Sequence, residues 1–203
     1  VTPASKFARL VAYAYTLSVY DFGSKDGAAR AHIETIDGLK TVAVPGTNDF
    51  ACWLADLDIL TANTPLGTIH QGFHLAAQTI AGQVIGETPD VLTGHSEGAD
   101  LALHFAGDCC LAGHPPKLVW AFEPAHLCID DTLAGIFKHY GVDVKITRHG
   151  GDIVPIVPRK IHPWRHPLVS PVIPFGVPTP VIGGLEDHYL DDRFIADLDG
   201  SGL

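Results

Sequence analysis

The sequence predicts an α/β fold in which a mostly parallel central sheet carries helices on both faces, as one domain over residues 1–203. Three observations carry this reading. Short apolar runs alternate along the chain with segments of helical period. One run, Lys117-Leu118-Val119-Trp120-Ala121-Phe122, is apolar throughout after its lysine, as strands covered on both faces are. The third is Gly94-His95-Ser96-Glu97-Gly98, a glycine-bracketed pentapeptide between a β-type run and a small-residue helical stretch.

The elements follow in order. Phe7 to Tyr20 places Phe7, Leu10, Val11, Ala14, Tyr15 and Leu17 on a helical period, an amphipathic helix against one side of the sheet. Ala31 to Thr35 and Leu39 to Val44 read as strands joined by the turn Asp37-Gly38. The second strand runs into Pro45-Gly46-Thr47-Asn48. Asn48 to Asp58 has helical spacing, with Phe50, Trp53, Leu54 and Leu57 apolar among aspartates; it is either an ordinary helix facing the core or a lid beside a site. Thr61 to Gly67 reads as a loop and Ile69 to Gln83 as a helix. Asp90 to Thr93 is a short buried strand, and Ala99 to Gly107 a helix after the pentapeptide. Asp131 to Tyr140 is a helix stopped by Gly141, and Val142 to Thr147 a last strand. Pro155 to Gly184 is proline-rich and apolar, including Phe175, which suits a loop walling a site. A tail helix is expected over Asp187 to Leu198, with His188 at its start.

Composition narrows the function classes. Apolar residues make up 46% of the chain and charged residues 18%, which excludes a disordered protein. The formal charge of −10 argues against nucleic acid and against electrostatic binding to anionic membranes. No run approaches a membrane span, so stable membrane insertion is not expected. The four cysteines, Cys52, Cys109, Cys110 and Cys128, form no disulfide framework; this favours a cytoplasmic compartment, with secretion open if a leader was removed. The 12 histidines are scattered and show no metal-ligand spacing, so neither metal nor organic cofactor is expected.

The chemistry centres on Ser96. In a parallel sheet the reactive groups gather at the carboxyl ends of strands, where Thr47, Ser96 and Asp152 fall by this parsing. A serine hydroxyl needs a base, and the base needs a third group to orient it. Acid candidates after Ser96 at strand ends are Glu123 and Asp152; Asp152, in the Gly150-Gly151-Asp152 turn after the last strand, is preferred. The histidines that follow are His162, His166 and His188. His188 is preferred, because Gly183-Gly184 gives it a flexible approach. His95, inside the pentapeptide, is expected to point away. An oxyanion would be met by the amide of Glu97 at the helix start and by the turn containing Gly46 and Thr47. The Glu97 carboxylate either points outward or pairs with a cation such as Arg148 or Arg165.

With these residues in view the chain resembles the class 3 lipases, the fungal triacylglycerol-lipase type within the α/β-hydrolase superfamily. The resemblance rests on Val42-Ala43-Val44-Pro45-Gly46-Thr47, Trp53-Leu54-Ala55-Asp56-Leu57, His70-Gln71-Gly72-Phe73, Thr93 to Gly98 with Leu101-Ala102-Leu103, Pro124, and Gly151-Asp152-Ile153-Val154-Pro155 with Pro158, all in family order. It implies an α/β-hydrolase fold with Ser96 as nucleophile, Asp152 as acid, His188 as base, and the Thr47 and Glu97 amides as oxyanion hole. It also implies that residues 48–58 are the lid, which puts Phe50, Trp53 and Leu54 on the substrate side, joined by Phe175 from the apolar loop read above as a wall of the site. Pro45, Cys52, Glu97 and Asp100 depart from the family's usual residues. The implied activity is hydrolysis of a small-molecule or lipid ester with an apolar acyl group. The alternatives are a catalytically silent binding module and an acyltransferase or amidase using the same triad.

Overall fold

A computed structural model describes residues 2–47, 60–156, 164–176 and 186–203. The first element is α1 (Pro3–Thr16), which starts earlier than its apolar period because Thr2 caps it and Pro3 occupies the first turn. Next come β1 (Phe22–Gly23), β2 (Arg30–Ile36) and β3 (Leu39–Val44). Asp37 and Gly38 join β2 to β3 with φ of 51° and 79°, the left-handed pair a tight hairpin needs.

The predicted loop after Thr61 is instead a hairpin, β4 (Thr61–Thr64) and β5 (Gly67–His70). Gly67 supplies a φ of 101° at its turn. The helix expected from Ile69 starts only at Gln71 and is broken in two, α2 (Gln71–Gln78) and α3 (Ala81–Gly86). Then follow β6 (Val91–His95), α4 (Glu97–Leu111), β7 (Leu118–Phe122), α5 (Thr132–Tyr140) and β8 (Asp143–His149). Inside the proline-rich stretch lies one more strand, β9 (Ile173–Phe175). A single 3-10 turn, Glu186–His188, precedes α6 (Asp192–Ser201), so His188 sits before the tail helix rather than in it.

The main sheet has the order β1-β2-β3-β6-β7-β8-β9. Its first two pairings are antiparallel, and the four from β3 to β9 are parallel. Both faces are covered, as the continuous apolar run of β7 requires. Val119 and Ala121 join the larger core with Leu92, Val144 and Ile146, on the side of α2, α4 and α5. Trp120 and Phe122 alternate to the other face and meet Phe7 of α1 and Phe194 and Leu198 of α6. Fully burying a side chain such as Phe122 is worth ~2–3 kcal/mol, so these two layers fix the height of the strand ends at which the site is built.

Candidate active site

Ser96 follows β6 directly. Its backbone holds φ 57° and ψ −132°, a region non-glycine residues rarely adopt, and its amide donates to the Phe122 carbonyl of the next strand at 2.9 Å. The turn is possible because α4 passes so close. A Cβ on Gly98 would overlap the Val44 carbonyl oxygen and lie 2.7 Å from the Pro45 carbonyl carbon; one on Gly94 would overlap the Gly98 carbonyl. Only glycine fits at either end of the pentapeptide.

The structure brings the three residues chosen from the sequence together. His188 Nε2 lies 2.8 Å from Ser96 Oγ, and His188 Nδ1 lies 2.7 Å from Asp152 Oδ2. All three are buried, so each contact is made in a medium that screens little. A proton on Nδ1 facing the carboxylate leaves Nε2 to accept from the serine hydroxyl. Asp152 Oδ1 also accepts the Val154 amide at 2.9 Å. Burial pushes the Asp152 carboxyl up, but its hydrogen bonds with Glu123 and His188 outweigh this and hold it below the usual carboxylate range.

Asp152 and His188 arrive on different segments, and Asp187 joins them. Its Oδ2 accepts the Gly151 amide at 2.7 Å and its Oδ1 accepts Arg193 Nη1 at 2.8 Å. Arg148 Nε donates to the Asp152 carbonyl at 2.9 Å, which closes the turn from the other side.

Thr47 lines the cleft with Ser96 and His188. Its turn is held at Gly46, whose amide donates to Tyr15 Oη at 2.8 Å and whose carbonyl accepts Arg30 Nη2 at 2.7 Å. Tyr15 Oη is 2.9 Å from His95 Nδ1, and His95 Nε2 is 2.7 Å from the His188 carbonyl oxygen. A carbonyl only accepts, so Nε2 carries the proton and Nδ1 accepts from Tyr15. The expectation that His95 points away is therefore wrong. The ring lines the cleft, because the residue before the elbow ends its strand on the face that α1 covers.

Glu97 is part-buried, and burial lifts its carboxyl to about 7 against the opposing pull of Arg30. Neither cation expected from the sequence is its partner: Arg148 serves Asp152, and Arg165 Nη1 bonds Asp131. Asp100, another departure from the class 3 lipase pattern, is fully buried and accepts the Ala125 amide at 3.0 Å, tying α4 to the segment after β7. Burial raises its carboxyl well above the usual range, which fits a neutral acid in that place.

The cleft encloses ≈330 Å³. Its floor is Ser96, His95 and His188; Ala12, Tyr189 and Leu190 add apolar surface at its sides. Phe50, Trp53 and Leu54 lie outside the described residues, as does the whole of 48–58. Phe175 is described and does not line the cleft. It packs with its ring 5.0 Å from that of Phe194 and 4.9 Å from that of His149, in the core under the sheet end. Among the described residues, the grouping with metal-ligand chemistry is Glu123, Asp152 and His188, whose nearest ligand atoms lie within 4.8 Å of one another. Both nitrogens of His188 already face Ser96 and Asp152, an arrangement for moving a proton.

The fold that brings these residues together is matched by solved structures. The chain superposes on a crystal structure of a fungal lipase with a TM-score of 0.67 and 18% identity over 92% of this chain and 82% of that one. The fold is that of the fungal lipases, an α/β-hydrolase. The MDLA protein of Penicillium cyclopium matches with a TM-score of 0.65 and 22% identity over 89% of this chain and 72% of that one. The native Rhizomucor miehei lipase propeptide complex matches with a TM-score of 0.60 and 17% identity over 76% of this chain; the matched part is 61% of that chain, and 46% in a deletion mutant of the same lipase. The chain thus spans about half to three-fifths of the Rhizomucor structures. No family model and no curated protein matches its sequence.

Tyr15, Arg30, His95 and Asp187 are the site residues that sequence reasoning missed. Tyr15 carried a signal, since it breaks the apolar face of α1 with a hydroxyl. Arg30 and Asp187 carried none, because the groups that tie them to the site, the Gly46 carbonyl and the Gly151 amide, are backbone groups distant in sequence.

Proposed function

We propose that this protein is a serine hydrolase of carboxylic esters with an apolar acyl group, working through an acyl-enzyme. The observation that carries the proposal is the unbroken chain from Ser96 Oγ through the His188 ring to the Asp152 carboxylate, at 2.8 and 2.7 Å. Ser96 attacks the ester carbonyl as His188 Nε2 takes its proton. Asp152 stabilises the imidazolium, and His188 returns the proton to the leaving alcohol. Water then attacks the acyl-Ser96 ester by the same route. The Thr47 and Glu97 amides are assigned to the oxyanion, each worth ~3 kcal/mol of barrier. The solved lipase structures support the reading through their common fold, and the short triad distances argue against a silent binding module.

The apolar side of the cleft favours a fatty or otherwise hydrophobic acyl group over a charged one. Phe50, Trp53 and Leu54 are assigned to that group from sequence; alanine at each should raise KM for long-chain esters more than for short ones. The deciding experiment is labelling with a fluorophosphonate followed by peptide mapping, together with hydrolysis of p-nitrophenyl esters of graded chain length. Modification at Ser96 and loss of turnover in Ser96→Ala are expected. Full esterase activity in Ser96→Ala overturns the proposal.

A further inference from the structure

Glu123 ends β7 as Ser96 ends β6, and it too is a non-glycine residue in the left-handed region, with φ 55°. Such a backbone costs ~1 kcal/mol or more and persists where surrounding structure enforces it. Here the strain turns the side chain beneath the Asp152 turn. Glu123 is fully buried, and its Oε1 accepts the His149 amide at 2.6 Å. Its Oε2 is buried with no hydrogen-bond partner among the described residues, and a carboxyl oxygen of Glu123 lies within 4.8 Å of one of Asp152. Two carboxylates cannot both be ionised at such range in a dry site, so one proton lies between them.

The donors around the pair decide which group holds it. Asp152 receives the Val154 amide and His188 Nδ1. Glu123 receives a single amide. His188 faces the Asp152 carboxylate from the 186–188 turn, while Arg148 of β8 bonds the Asp152 main-chain carbonyl and its charge pulls on Glu123 less than burial and Asp152 push. We propose that Glu123 is a positioning residue for the triad acid: as a neutral carboxylic acid it donates from Oε2 to the Asp152 carboxylate, keeping that group ionised and aimed at His188. The proposal rests on the hydrolase reading above and adds a fourth member behind the triad. The directions of titration agree: burial and the adjacent Asp152 push Glu123 well above the ordinary range, while Asp152 stays low.

The test pairs two substitutions with a measurement that needs no turnover. Glu123→Gln keeps a donor for Asp152 and an acceptor for the His149 amide; Glu123→Leu keeps the volume and loses both. In the Leu variant kcat falls about tenfold to a hundredfold with KM unchanged, and the Gln variant recovers most of that loss. With glutamate carboxyls labelled with carbon-13, NMR near pH ~9, where Glu97 has ionised, shows one carboxyl still protonated in wild type and none in Glu123→Gln. The inference is overturned by a folded Leu variant with wild-type kcat, or by a wild-type spectrum in which every glutamate is ionised. A wild-type protein that neither turns over esters nor labels at Ser96 sinks the hydrolase reading separately, and the carboxyl spectrum still decides where the proton resides.

Discussion

His95 donates from Nε2 to the backbone carbonyl of His188 at 2.7 Å, with the two rings 4.8 Å apart. The residue before Ser96 thus holds the main chain of His188. Replacing it with phenylalanine keeps a ring and loses both hydrogen bonds. The expected result is a kcat about tenfold lower with KM little changed, read in steady-state ester hydrolysis.

The same residue sets an acid limit on stability. Burial, followed by the nearness of His188, lowers its pKa to about 3. The folded value lies below the unfolded one near 6.5, so neutral His95 contributes stability above about pH 6.5 that is lost as pH falls toward the folded value. Urea midpoints measured from pH ~7 to ~4 should fall more steeply for wild type than for His95→Gln.

Glu97 has the opposite sign. Its folded pKa of about 7 is above the ordinary glutamate value of 4.5, so its contribution is present below about 4.5 and lost as pH rises through about 7. Glu97→Gln should gain on the order of 2 kcal/mol over wild type at pH ~8.5 and little at pH ~4.5, measured by chemical denaturation.

Tyr15 joins the oxyanion turn to His95. Tyr15→Phe removes the acceptor for the Gly46 amide and the donor to His95 while keeping the ring. We expect kcat to fall about tenfold and stability by ~1–2 kcal/mol, from paired kinetic and unfolding measurements.

Ser96→Gly should separate strain from chemistry. Glycine tolerates φ 57° and ψ −132°, so the variant should be inactive and about 1 kcal/mol more stable than Ser96→Ala by thermal unfolding.

Much of this site was legible because its parts are local. The pentapeptide carries its own turn geometry, Asp152 follows its strand within three residues, and β7 announced burial on both faces by its unbroken apolar run. The β4–β5 hairpin was missed because Thr-Ala-Asn-Thr is too polar to register as a strand; it is held by pairing with Gly67–His70 rather than by an apolar face. Strand β9 hid behind Pro174, which an edge strand tolerates. Phe175 was read as a wall of the site from its apolar loop, a composition that does not distinguish lining a cleft from filling the core beneath it. The role of His95 was hidden for another reason: its partners are a tyrosine 80 residues earlier and a carbonyl 93 residues later.

The closeness of α4 to β3 at Gly98 carries a consequence for how such proteins diverge. No atom can be added at Gly94 or Gly98 without displacing main chain, whereas Glu97 and Asp100 differ from the class 3 lipase pattern and are accommodated. The glycine-serine-glycine signature is therefore a record of clearance between two backbones, and descendants of this chain could exchange one substrate for another, or lose turnover altogether, and still display it.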